Sequence, residues 1–437
     1  MTIASALREQ LVTPAAPAGA GPLLPVVGMA SVPLADGGHI RPVYLDYAAT
    51  APALPAVVER VTELLPQLAS VHRGAGWGSQ VTTAAYEDAR ATVARLLGAR
   101  PDDTVVFTRN TTESLNLLAS AVPGEVVLLD LEHHANLLPW HRRGARILPT
   151  PRSVDALVDA VDAELRRRPA ALLAVTAVTN VTGELLPLAS LAAVAHRHGA
   201  RIAVDGAQLV PHRFASLEAD DLDYLAFSGH KAYAPFGAGV LLGRADWLDA
   251  ATPHLDGGGA VGRVRLDGVE WRSGSARHEA GTPNVLGAVA LATALRVLAS
   301  LDPRERERHE AGLRDALLDE LAGVPGIRLA SVFDDAPDRL SVAAFALDRI
   351  SSGLLAAVLG AEHGIAVRSG RFCAHPLVDR ISDRPLVRVS TGVGSTLDDI
   401  HALGRTLRQI VATGPRLEYA RQPSGEWQPV DDVRQAG

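Results

Sequence analysis

Short apolar runs alternate with stretches of helical spacing through the middle of this chain. Val105–Phe107, Val126–Leu129, Leu172–Thr176, Ile202–Val204, Tyr224–Phe227 and Val240–Leu242 read as strands, and Thr83–Leu97 and Leu188–His198 read as helices. That alternation predicts crossover units and a mainly parallel sheet, with ligands expected at the carboxyl ends of its strands. Beyond Leu301 the pattern changes. Longer helical patterns, Arg304–Leu321 and Leu397–Thr413, flank short strands at Arg328–Ala330 and Ser341–Ala346, which predicts a smaller α+β domain. The expected organisation is a flexible extension over residues 1–40 and a large domain over 41–300, whose first residues can pack with the small domain. The small domain covers 301–414 and a tail covers 415–437.

Composition removes whole classes of function. The 437 residues are 47% hydrophobic and 21% charged with a net charge of -7, ordinary for a globular protein. No basic patch or nucleic-acid motif stands out, so nucleic acid is not an expected partner. No apolar run reaches the roughly 20 residues of a membrane helix. The start of the chain lacks a basic, unbroken apolar leader, and prolines interrupt it. One cysteine, Cys373, permits no internal disulfide and fits a reducing cytoplasm as the expected location.

The candidate chemistry begins with a single residue. Lys231 is the only lysine beside a large excess of arginine, and it follows the apolar run Tyr224–Phe227 in Ser228-Gly229-His230-Lys231. An amine can lose its proton and form a Schiff base with a carbonyl; a guanidinium cannot. Four further features make sense together around pyridoxal phosphate (PLP). Thr108–Glu113, with Thr111 and Thr112, opens a helix after a strand and offers free N–H groups and hydroxyls to a phosphate, or is simply an N-cap. Asp205 ends a strand, where a carboxylate can hold a pyridine nitrogen protonated, and Gln208 lies within reach of the ring hydroxyl; a capping aspartate is the alternative. His133, in Glu132-His133-His134-Ala135-Asn136, can stack on a heteroaromatic ring. A metal site is not expected, because no HExxH, CxxC or other ligand spacing accompanies the histidines. Arg388, in an apolar strand, suits an amino acid's carboxylate or a structural ion pair. His196 and His198 are read as helix-dipole partners. Gly257-Gly258-Gly259 is read as a mobile loop, since no strand-to-helix context makes it a dinucleotide fingerprint.

With these residues placed, the chain resembles the class V aminotransferase family of fold-type I PLP enzymes, nearest the type II (SUF-pathway) cysteine desulfurases and selenocysteine lyases. The resemblance runs from Tyr44-Leu45-Asp46-Tyr47-Ala48-Ala49 to about Ser390. It includes His72-Arg73-Gly74, Thr111-Thr112-Glu113, the Glu132–Asn136 block, Asp205-Gly206-Ala207-Gln208, Ala280-Gly281-Thr282-Pro283-Asn284 and Arg368-Ser369-Gly370. It implies a large domain with a mainly parallel seven-stranded sheet, a smaller α+β domain and a homodimer with shared sites. By the same resemblance Lys231 holds PLP as a Schiff base, Asp205 meets the ring nitrogen, His133 stacks on the ring and Gln208 contacts its oxygen. Thr112, Ser228 and His230 would bind the phosphate, and Thr282 would reach the phosphate of the neighbouring subunit. Asn180 and Arg388, with His72 and Arg73, would handle the substrate. Cys373 would take sulfur from L-cysteine or a related thio- or seleno-amino acid as a persulfide, release alanine and pass the sulfur to an acceptor, its thiolate favoured by Arg371.

The chain departs from the pattern at two places. Arg371 and Phe372 stand where the family has histidines before the nucleophile, and Gly394-Ser395-Thr396 replaces a Tyr-Asn-Thr sequence. The alternative is a PLP-dependent C–S lyase, epimerase or aminotransferase in which Cys373 is incidental. A serine acyl-enzyme built on Ser228-x-x-Lys231 lacks its companion motifs, and a non-catalytic scaffold is the remaining class.

Overall fold

The computed structural model describes residues 21–336 and 338–435, which fall into two compact units. Of these, one comprises 56–179 and 186–300; the other combines 21–55, 180–185 and the described residues from Leu301 on. The first half of the expected N-terminal extension lies outside the described residues.

The larger unit is built on a seven-stranded sheet. In chain order its strands are β1 (Asp103–Thr108), β2 (Val126–Leu129), β3 (Arg146–Leu148), β4 (Leu172–Thr176), β5 (Arg201–Asp205), β6 (Tyr224–Ser228) and β7 (Gly239–Arg244). Their spatial order is β1-β7-β6-β5-β4-β2-β3, and only β7 runs antiparallel to its neighbours. Every residue of β2, β4 and β6 is buried, as a sheet covered by helices on both faces requires. This is why these strands read as unbroken apolar runs rather than alternating ones. The edge strand β3 was not legible in the same way: its middle residue Ile147 is exposed, Arg146 and Leu148 are half-buried, and Arg146 is tied to Glu164.

Helix α1 (Trp77–Leu96) begins six residues before the pattern suggested. It packs through Tyr86 and Ala89 on α2 (Val285–Ala299), whose Ala288, Val289 and Ala292 are buried there. His196 and His198 do sit at the end of a helix, Leu188–Arg197, yet carboxylates hold them. His196 bridges Asp221 and Asp223 at 2.9 and 2.8 Å, and His198 meets Asp162 at 2.9 Å. The triple-glycine run leads into a hairpin, Val261–Arg265 with Gly268–Trp271, and Gly258 accepts from the Gly281 N–H at 2.7 Å.

The smaller unit carries an antiparallel sheet in the order Ile327–Leu329, Val342–Leu347, Leu386–Ser390, Arg368–Gly370. Helices Pro303–Ala322, Ser352–His363 and Leu397–Thr413 share its core, with Leu313, Leu317, Phe345, Leu355, Val387, Val389 and Leu403 buried. Residues after Gly414, read as a tail, form a hairpin, Tyr419–Arg421 with Trp427–Pro429. Buried Glu362 secures its start, accepting from the Arg416 and Leu417 N–H groups and the Tyr419 hydroxyl. The second half of the N-terminal extension is also tied down: Leu24 donates to Val393 O, Val27 to Ala53 O and Ala35 to Ala361 O, at 3.0, 2.8 and 2.9 Å. Main-chain pairing of this kind leaves no side-chain periodicity to read. Among the described residues no single helix is long and apolar enough to cross a membrane.

Candidate active site

The larger unit gathers its chemistry at the carboxyl ends of β4, β5 and β6. Asp205 closes β5 beside Thr176, the last residue of β4, and Ser228 closes β6. Asp205 is buried; its Oδ1 accepts from the Ala207 N–H at 3.0 Å, while Oδ2 accepts no hydrogen bond among the described residues. Burial pushes this carboxyl up, and the Ala207 N–H and the Lys231 charge oppose it. A protonated ring nitrogen at Oδ2 would add the missing donor and a second positive charge. The residues therefore fit a pyridine cofactor. Gln208 is buried nearby in sequence, and Lys231 is half-buried. His230 is held neutral, its pKa lowered to about 4 by burial and then by Lys231.

Helix α3 (Thr111–Ala121) starts at the mouth of the same sheet. Asn110 caps it, accepting from the Glu113 N–H at 3.0 Å, so the capping reading of this segment holds. The cap does not exclude an anion, because Thr111 and Ser228 converge at the helix start. The Thr111 N–H donates to Ser228 Oγ at 2.8 Å, and the two hydroxyls are 2.6 Å apart, while Thr112 is exposed. Gly239 of β7 is required here, since a Cβ would meet the Asn110 backbone at 2.5 Å. Ser228 Oγ thus bonds Thr111 and not the lysine amine, which counts against a Ser–Lys acyl-enzyme.

His133 caps the next helix, Nδ1 accepting from the Ala135 N–H at 3.0 Å, which leaves Nε2 to carry the ring proton. Beneath it lies a residue the sequence reading quoted without a role. Glu132 is wholly buried and accepts from Asn136 Nδ2 at 2.7 Å and the Thr176 N–H at 3.1 Å; Asn136 in turn accepts from Trp140 Nε1 at 2.9 Å. Burial pushes the Glu132 carboxyl well up, with Asp205 and Asp130 adding to the effect. Its signal was an acidic residue three positions past the end of an apolar strand.

A separate cavity of about 650 Å³ in the larger unit is lined by His72, Arg73, Gly258, Gly259 and Thr282 among others. His72 is paired with Glu87 at 2.8 Å. The segment carrying Thr282 is anchored by Glu279, which the sequence reading missed. Glu279 accepts from both terminal nitrogens of Arg90 at 2.8 Å, from the Tyr86 hydroxyl at 2.8 Å and from the Phe107 N–H at 2.7 Å.

The smaller unit brings Arg388, Asn180 and Cys373 together. Val387 and Val389 face the core, so strand alternation turns Arg388 to the other face. There its guanidinium donates to Asn180 O and Asp46 Oδ1, both at 2.9 Å, while Nε is buried with no hydrogen-bond partner among the described residues. Burial lowers the Arg388 pKa, and Asp46 and Cys373 resist that change. Asn180 also donates from Nδ2 to Phe372 O at 2.8 Å. Cys373 is exposed, and it and Phe372 both have positive φ, 54° and 51°. Arg371, expected to favour the thiolate, is half-exposed and pairs through Nε with Asp379 at 2.7 Å.

This arrangement is that of a fold-type I, α/β enzyme, with Asp205 and Ser228 at the carboxyl ends of parallel strands. The aminotransferase class-V family pattern matches residues 43–403, and the chain belongs to that family. It is 39% identical over 375 residues to the cysteine desulfurase CsdA of Escherichia coli, covering 83% of this chain and 92% of the relative. It is 35% identical over 382 residues to a probable cysteine desulfurase of Vibrio cholerae, covering 84% and 93%. The E. coli CsdA crystal structure superimposes with a TM-score of 0.76 at 38% identity, over 85% of this chain and 95% of that one. The apo cysteine desulfurase of Thermococcus onnurineus gives 0.79 at 32% identity with the same coverage.

Proposed function

We propose that this enzyme is a PLP-dependent cysteine desulfurase that removes sulfur from L-cysteine or a related thio- or seleno-amino acid. Bound PLP would supply the electron sink that makes the substrate's Cα–H acidic. Lys231 Nζ would anchor the cofactor and then take that proton, Asp205 would hold the ring nitrogen charged, and His133 and Gln208 would orient the ring. Thr111, Thr112, Ser228 and His230 would hold the phosphate, with Thr282 contributed across a homodimer, and His72 and Arg73 would help to bind the substrate. Arg388 and Asn180 would take the substrate carboxylate, and the unpartnered Nε supports this role because it is a buried donor awaiting an acceptor. Cys373 Sγ would attack the substrate sulfur. The Cβ–S bond breaks with its electron pair left on carbon, protonation gives alanine, and the sulfur stays on Cys373 as a persulfide for an acceptor thiol.

The observation that carries this reading is Cys373 itself, the only cysteine, exposed on a turn fixed beside Arg388. In the test, Cys373→Ser and wild type are compared for alanine and sulfide formation from L-cysteine, with mass analysis of Cys373. Wild type is expected to gain one sulfur at Cys373 and the variant to lose activity by about 100-fold or more. Undiminished turnover in the variant would instead favour the C–S lyase alternative. Borohydride reduction should fix the cofactor on Lys231, the only lysine.

A further inference from the structure

We infer that Phe372 is a positioning residue: its ring backs the Arg388 guanidinium, and its carbonyl, held by Asn180, fixes the turn that presents Cys373. This rests on the proposed roles of Arg388, Asn180 and Cys373. Phe372 is 6% exposed although its neighbour Cys373 faces solvent. The Arg388 Cζ lies 5.2 Å from the centre of the Phe372 ring, within reach of a cation–π attraction that desolvation strengthens. The ring therefore covers one face of a guanidinium whose two terminal nitrogens are already directed to Asn180 and Asp46. What remains is the Nε–H edge, buried and unpartnered. An arginine so restrained offers a carboxylate a single approach.

The backbone of the same residue does the second part. Asn180 offers its carbonyl to Arg388 and its amide to Phe372 O, so one side chain and its own main chain couple receptor and turn. Phe372 and Cys373 hold consecutive left-handed φ values, 51° and 54°, a conformation costly for both residue types and kept only where surrounding contacts over-determine it. Those contacts are the buried ring and the Asn180 bond. Loosening the ring should release the turn, displace the thiol and widen the arginine's choice of geometry together. A ring that merely filled space would move stability alone.

The test uses the holoenzyme as wild type, Phe372→Leu and Phe372→Tyr, the last keeping an aromatic face. Steady-state kinetics with L-cysteine give KM and kcat. The rate of iodoacetamide alkylation of resting enzyme, followed by mass, reads Cys373 alone because it is the only cysteine. F372L is expected to raise KM about tenfold, the loss of a desolvated cation–π contact, with a smaller change in kcat. It is also expected to change the alkylation rate threefold or more, and F372Y to stay near wild type in both. F372L within twofold of wild type in both readings overturns the inference, as does F372Y behaving like F372L. Should F372L not fold, Phe372→Gly, which adopts this φ without strain, replaces it with the same expectations. If wild type removes no sulfur from cysteine, the functional reading fails, while the alkylation arm still decides on Phe372.

Discussion

Glu279→Gln is the sharpest test of how the larger unit holds its cavity. The Glu279 side chain is only 7% exposed and receives four donors, two of them from Arg90. The Tyr86 phenol stays protonated and donates to the carboxylate, because burial and the adjacent Glu279 push its pKa far above the ordinary range. In the glutamine variant one oxygen still accepts from Arg90 and from the Phe107 N–H. The amide nitrogen takes the place of the other oxygen and faces two donors. The Tyr86 hydroxyl can turn to accept, but the Arg90 nitrogen cannot. One charge-assisted bond is lost outright, about 1.5–3 kcal/mol, and the bonds that remain lose their ionic component. Breaking a buried pair from one side costs about 3–5 kcal/mol. The expected loss sits near the low end, about 3 kcal/mol, because Glu87 still meets Arg90 at 2.9 Å. Urea unfolding should show a lower midpoint with unchanged slope, and Tyr86→Phe should cost only about 1.5 kcal/mol. A Glu279→Gln loss below about 1 kcal/mol would refute the reasoning, since the carboxylate would then not be the charge that Arg90 requires.

Two further outcomes follow from the site. Asp205→Asn removes the only carboxylate proposed for the ring nitrogen; activity should fall by about 100-fold or more with the cofactor still attached to Lys231, which absorbance and turnover together report. His230 has a folded pKa of about 4 against an ordinary 6.5, so the unfolded chain binds more protons between those values. Its contribution to stability is complete above pH 6.5 and is lost as the pH falls toward 4, by about 2 kcal/mol after allowing for partial exposure. In the cofactor-free protein, His230→Gln should flatten the pH dependence of the urea midpoint in that window, and an unchanged slope would contradict the assignment.

Site and fold differed in how readable they were. Lys231 stood out because it is alone, and Asp205 because a carboxylate at the end of an apolar strand needs a reason. Glu132 and Glu279 gave weaker signals. Each becomes meaningful only through donors far away in sequence, Thr176 for the first, Arg90 and Phe107 for the second. Arg371 shows the limit of proximity along the chain: it lies two residues from Cys373, and its Nε meets Asp379 on the helix His375–Ile381.

The amino-acid order by itself determined the fold class, the buried central strands and the residue types available for PLP chemistry, because apolar periodicity and rare reactive side chains are local properties. Only the tertiary structure decided which polar groups meet. The Arg388–Asn180–Phe372 arrangement joins segments 192 and 208 residues apart, and the edge strand β3 and the terminal hairpin are held by pairing rather than by pattern. Long-range hydrogen bonds are set by packing geometry, and a linear pattern carries no record of it.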